Sequence, residues 1–237
     1  MATRKVYTFA EAKQKIVDEM DLGDETFVSD QEYYDYFNEA INEAEAEIHN
    51  QNEDYFLASE TLPLVASTAT YSLPDSIYAN KIRHIQFKQS DNTRIYEIRR
   101  VPIERIMYIN ETNSSNMDYC YHLVNNAATG TQLVLHPTPQ ASDSTSVSIY
   151  FLRNATRVEA TTDEIDIPEF IEFTFAFVRV KIARKEMSPL LGSYEESLER
   201  QRQLMKETLC DMIPDSDATI SPDMSFYSDF DDLDFVW

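Results

Sequence analysis

Apolar positions recur at helical spacing twice near the start of the chain. Phe9, Ala12, Ile16 and Met20 follow a Thr8–Glu11 capping box and stop at Gly23. Ser29 and Glu32 form a second capping box. Behind it Tyr33, Phe37, Ala40, Ile41, Ala44 and Ile48 make one apolar stripe of a helix reaching about His49. From Tyr55 to about Arg153 the pattern changes. β-Branched and aromatic residues over 55–64, 68–73, 77–89, 93–101, 119–124, 131–135 and 146–152 predict short strands. Ser90-Asp-Asn92 is a turn signal that pairs Ile85–Phe87 with Arg94–Tyr96 as a hairpin. Pro102 opens a turn or two of helix through Ile103, Ile106, Met107 and Ile109. Leu133-Val-Leu135 runs into His136-Pro-Thr-Pro139, a strand that proline stops.

Helical signals return near Pro168. Phe173, Phe175 and Phe177 alternate as in a strand. The run from Phe170 to Met187, however, starts at Asp166-Ile-Pro-Glu169 and ends in Arg184-Lys185, which predicts a buried helix. A last helix opens at Ser188-Pro189 or Ser193, with Tyr194, Leu198, Met205, Leu209 and Met212 on its apolar face and a Glu196–Arg200 pair, and Pro214 stops it. The expected fold class is α+β. N- and C-terminal helix pairs (1–54 and 165–213) form a helical bundle, with an antiparallel β-rich insert (55–164) and an extended acidic C-terminal tail (214–237).

Charge adds a second layer. The 237 residues carry a net −22, so free nucleic acid and anionic membranes are poor partners. No Lys or Arg lies between Lys15 and Lys81, or after Asp211. Glu32, Asp35, Glu39, Glu43 and Glu47 line an acidic stripe of the second helix with no i,i+4 cation on that helix. Cations gather later, at Arg179, Lys181, Arg184 and Lys185 and again at Arg200, Arg202 and Lys206. These two sets are the candidate subunit-interface charges, an acidic face meeting the basic face of a neighbouring copy; solvated faces are the plain alternative.

Chemistry finds little support. Only three glycines are present, which excludes a Walker loop and a dinucleotide fingerprint. Four histidines, at 49, 84, 122 and 136, and two cysteines lack metal-ligand spacing. Asp163, Glu164 and Asp166 could hold a cation or act as acid and base, but carboxylates are expected just before the Pro168 helix on dipole grounds alone. Asp229, Asp231, Asp232 and Asp234 lack the glycine and terminal Glu of an EF-hand. No cofactor, metal site or catalytic residue is expected. Neither a signal sequence nor a stretch of ~20 apolar residues is present, so the product is expected to be soluble, made in a cytoplasm.

One ordered set of motifs stands out. Thr68-Ala-Thr-Tyr-Ser-Leu-Pro74 reads "T-x-T-Y-x-L-P"; Ile82-Arg-His-Ile85 reads "I-x-x-I"; Pro137-Thr-Pro139 ends a strand; Asp166-Ile-Pro-Glu169 enters the closing helices. With the helix pair before them, these pieces over residues 25–210 resemble the head-to-tail connector adaptors of tailed bacteriophages, especially short-tailed ones. The long acidic aromatic tail and the strongly negative total depart from that pattern. The resemblance implies a structural virion protein at the neck. Twelve copies would form a ring bound to the portal protein and to further tail or ring proteins. Double-stranded DNA would pass through without being bound tightly, which a channel poor in phosphate-binding cations favours. The tail mixes Phe226, Tyr227, Phe230, Leu233, Phe235, Val236 and Trp237 with aspartates, a composition that folds on a partner rather than alone. These seven are the candidate partner-binding residues. The competing readings are a cytosolic binding or chaperone-like module using that tail, and a small enzyme.

Overall fold

The computed structural model describes residues 5–23, 27–88, 95–106, 119–128 and 130–212, with the backbone alone at 144–146. The chain is mixed α+β, with two antiparallel-rich sheets. Helix α1 spans Phe9–Met20 and α2 spans Asp30–Gln51, and both predicted capping boxes form. A 3₁₀ turn, Glu53–Phe56, follows α2, so Tyr55 and Phe56 start no strand. Strands β1 (Leu57–Leu64), β2 (Thr70–Ser72), β3 (Ile77–Lys88), β4 (Ile95–Glu97), β5 (Arg99–Arg100), β6 (Cys120–Asn126), β7 (Gly130–His136) and β8 (Asp143–Arg153) come next. A second 3₁₀ turn, Pro168–Phe170, leads into α3 (Ile171–Glu186) and α4 (Leu191–Met212).

The strands form two four-stranded sheets, ordered β1-β8-β3-β4 and β2-β7-β6-β5. All pairs are antiparallel except β5 with β6. The predicted hairpin is present in the register Gln86↔Glu97, Phe87↔Tyr96 and Lys88↔Ile95; Ser90-Asp-Asn92 and Arg94 lie outside the described residues. Alternate residues of each sheet share one core. Leu62, Leu64, Ile85, Val147, Ile149 and Phe151 come from the first sheet, and Tyr71, Tyr121, Leu133 and Leu135 from the second. Strand β3 is bulged, its register slipping between Ile77 and Ile82, where Ala79 (φ 48°) and Asn80 (φ 57°) are both left-handed.

A second core lies among the helices. Phe9, Ile16, Phe37, Ile41 and Ile48 meet Phe173, Phe175, Val178 and Ile182 of α3 and Met205 and Leu209 of α4, and the flanking segments add Phe56, Ala155 and Val158. The alternating phenylalanines do belong to a helix. Five successive residues, Phe173–Phe177, are all buried, so the first half of α3 is enclosed on every side and shows no polar face there to reveal its period. Each fully buried large side chain contributes about 1.5–3 kcal/mol. The predicted short helix after Pro102 is helical over residues 103–106, and Met107 and Ile109 lie outside the described residues. So does the whole acidic tail, including Phe226, Tyr227, Phe230, Leu233, Phe235, Val236 and Trp237.

Candidate interaction surfaces

The acidic stripe of α2 meets its cations within the chain. Glu32 pairs with Lys185 (2.6 Å), Glu39 with Lys181 (2.5 Å), Glu43 with Arg202, and Glu47 with Lys206 (3.6 Å). Arg179 pairs with Glu19 of α1, and Arg184 with Glu195 (2.8 Å). Asp35 accepts from the Gln31 amide at 3.1 Å. Partner numbers fall on α3 as they rise on α2, and rise together on α2 and α4. Helix α2 therefore runs antiparallel to α3 and parallel to α4, and a four-residue charge spacing keeps the rungs in step. Glu32 does double duty. Its carboxylate takes the Lys185 ammonium together with the Ser29 N–H and hydroxyl, and this holds its pKa down at about 2. Rungs this exposed contribute at most about 1 kcal/mol each and weaken with salt. The expected Glu196–Arg200 pair is absent among the described residues; the α4 acids that pair are Glu195, with Arg184, and Glu199, with Arg202.

Where the strands meet the helices, polar groups are buried; most are paired, while both ring nitrogens of His49 and Nη1 of Arg157 have no hydrogen-bond partner. Glu45, 6% exposed, accepts the Ala155 N–H and the Arg157 guanidinium, both at 2.7 Å. The Asn38 amide clasps Val158 on both sides, accepting its N–H (2.9 Å) and donating to its carbonyl (3.0 Å). Arg153 forks onto Asp166, which also accepts the Thr156 N–H at 2.8 Å. Tyr55 donates to Glu169, and burial followed by that carboxylate pushes its pKa well up. Buried His49 stacks on Tyr78 of β3, ring centroids 3.8 Å apart, and burial lowers its pKa. Upstream of α3, the backbone of 161–165 bonds that of Tyr7–Ala10.

These contacts settle the carboxylates before Pro168. Asp163 accepts the N–H groups of Glu159 and Ala160, both at 2.8 Å, and these hold its pKa down. It closes a turn, while Asp166 anchors Arg153, so the hydrogen bonds of both carboxylates hold the chain before α3. The histidines offer a surprise. His122 on β6 and His136 at the end of β7 stack, with His136 Nε2 3.1 Å from His122 Nδ1, and burial followed by the neighbouring ring lowers the pKa of His136. Their separation of fourteen positions hides a cross-strand diagonal that local spacing cannot show. Among the described residues no group of three or more His, Cys, Asp or Glu is placed to hold a metal ion.

Two surface features went unread in the sequence. Phe27, Met187 and Leu190 stand exposed near the α3–α4 connection, with Lys185 over the Phe27 ring. Between the 3₁₀ turn after α2 and the two sheets lies a groove of about 550 Å³. Ile82, Tyr121 and Leu123 supply its apolar lining, and Lys81, Arg83 and Arg100 its cations. Glu53 pairs with Lys81 (3.0 Å) and Arg83 (2.5 Å), and the Lys81 hydrogen bond, then the charges of Lys81 and Arg83, lower its pKa. Arg100 has no ion-pair partner among the described residues.

The described residues thus form a mixed α+β protein with two antiparallel-rich sheets and a helical core. Residues 7–222 match the family model described as SU10 adaptor protein, and the chain belongs to this family of phage adaptors. The match extends past residues 25–210 at both ends and takes in α1. The family is one of structural connectors rather than enzymes, and membership implies association with portal and tail components at the virion neck. No curated protein matches the chain. Among the described residues no helix is long and apolar enough to cross a membrane.

Proposed function

We propose that the chain builds a ring of twelve copies that joins the portal to the tail and lets double-stranded DNA through without gripping it. The family match over residues 7–222 carries this reading. In the ring, the helices of 1–54 and 165–213 form the bundle, the β-rich insert of 55–164 faces outward or tailward, and 214–237 reaches a neighbouring component. A head-to-tail contact between identical copies closes into a ring when its rotation permits. The charge rungs serve twice in such a ring. Glu32, Glu39, Glu43 and Glu47 set the register of α2 within the chain, yet Glu39 is 50% and Arg184 57% exposed, so these charges and Asp35 remain available to steer an adjacent copy. The net −22 per copy suits passage of DNA, since each cation–phosphate contact would add affinity and drag.

The tail supplies the grip. Phe226, Tyr227, Phe230, Leu233, Phe235, Val236 and Trp237 enter apolar pockets of the portal or the next ring while the aspartates face cations, with Trp237 as principal anchor. Mixing purified protein with portal and imaging the product tests the whole reading. Twelve-fold rings on the portal are expected, and deletion after Asp223 is expected to leave a folded subunit that no longer holds on it. A salt-insensitive dimer that ignores the portal, or a truncated protein that still assembles infectious particles at normal yield, would refute it.

A further inference from the structure

The groove beside the 3₁₀ turn after α2 lies next to the point where the described chain stops. Helix α4 ends at Met212, with Lys206 reaching Glu47 (3.6 Å) and Cys210 Sγ 3.9 Å from the Gln51 amide oxygen. Two residues beyond Gln51 is Glu53, whose carboxylate holds Lys81 and Arg83 on the groove wall. Helix α4 therefore ends near the turn that forms one side of the groove. Fully extended, residues 213–237 would reach roughly 80 Å.

Charge and shape agree with that placement. Residues 213–237 hold seven aspartates, at 215, 217, 223, 229, 231, 232 and 234, and no Lys or Arg. The groove sets Lys81, Arg83 and Arg100 over an apolar lining against two carboxylates, Glu53 and, 3.2 Å from Arg83, Asp54; Arg100 is uncommitted among the described residues. A cation-bearing cleft between α3 and α4 has Lys181, Arg184 and Arg202 already matched by Glu39, Glu195 and Glu43. It offers an acidic segment no net attraction.

We propose that in the free subunit the C-terminal segment 213–237 docks in the groove of its own chain, aspartates on Lys81, Arg83 and Arg100 and aromatic side chains over Ile82, Tyr121 and Leu123. A tethered segment meets its site at an effective concentration of order mM, so weak contacts hold it. Docking parks the adhesive tail on the subunit that carries it, and a stronger receiver takes it up during assembly. That handover rests on the ring function proposed above. The docking itself does not, and an experiment without portal separates the two.

Trp237 is the only tryptophan, so the full-length chain reports on its own tail. In the wild type its emission is expected to be blue-shifted and shielded from acrylamide, equally so on dilution. Arg100→Glu removes one attraction and adds one repulsion at an exposed position, and is expected to lower the docked-to-free ratio roughly tenfold, with Lys81→Glu acting likewise. Far-UV circular dichroism checks that both variants fold, and about 1 M salt is expected to release the wild-type tail without any substitution. Free-indole emission in the wild type, shielding that survives Arg100→Glu and salt, or shielding lost on dilution, which would place the tail on a second copy, each overturns the proposal.

Discussion

Replacing Glu45 with alanine removes the single side chain that ties α2 to the strand exit at both Ala155 and Arg157. The Ala155 N–H, in a residue 3% exposed, loses its acceptor at a site water reaches poorly, which costs about 1–3 kcal/mol. Arg157 loses its carboxylate too, but its side chain is 33% exposed and partly regains water, so the 3–5 kcal/mol typical of a fully buried broken pair is too large here. Together the loss comes to about 3 kcal/mol. With a urea m-value of ~2–3 kcal/mol/M, the unfolding midpoint should fall by about 1 M. Circular dichroism in a urea series measures it. Glu47→Ala, two positions along the same helix, is the control, because its pair with Lys206 is long and surface-exposed and should cost about 1 kcal/mol at most. If Glu45→Ala costs no more than Glu47→Ala, the buried N–H is being satisfied by other means and the reasoning fails.

Glu32→Gln should destabilise the chain near pH 6, and the difference from wild type should fade as pH drops from about 4.5 towards 2. A carboxyl held below its ordinary value contributes above the unfolded pKa and stops contributing once it is protonated in the fold. Thermal melts across that range check it, and an undiminished difference at pH 2 contradicts it. Phe37→Ala empties a fully buried site edge-on to Phe9, with centroids 5.4 Å apart, and should cost about 3–5 kcal/mol, read as a fall in denaturation midpoint. Duplex DNA should show no measurable gel shift at physiological salt; tight binding there would contradict a channel that does not grip phosphate.

What could be read in the sequence was local. Capping boxes, the Tyr33–Ile48 stripe and the Ser90 turn each act over a few residues, and α2 and the β3–β4 hairpin followed them closely. The helix behind Pro168 was recoverable because its ends carry dipole-matched charges, even though burial on all sides erased the period of its first half. What stayed hidden depends on tertiary approach. The acidic stripe looked uncompensated because its partners sit on helices some 140 to 160 positions later. The His122–His136 stack needs the β6–β7 register to exist first. The cationic groove joins β3, β5 and β6 to a 3₁₀ turn whose Tyr55 and Phe56 carry a strand-like pattern. The tail's aromatic residues were evident as a composition, and they lie outside the described residues.

The helical core is closed by residues from both ends of the chain, with Phe9 and Leu209 in one cluster. During synthesis this sets an order of events. Strands β1–β8 are contiguous from Leu57 to Arg153, so the sandwich is complete before α3 leaves the ribosome. Helix α2 must wait with its apolar stripe open while residues 52–170 are made, roughly 6–24 s at ~5–20 residues per second. Glu32, Glu39, Glu43 and Glu47 have no cations during that interval, because Lys181, Lys185, Arg202 and Lys206 do not yet exist. Nascent copies on one polysome therefore carry like charge beside the apolar stripe that would otherwise stick. The ridge guards the unfinished chain against its neighbours, and the guard is withdrawn when α3 and α4 emerge and neutralise it.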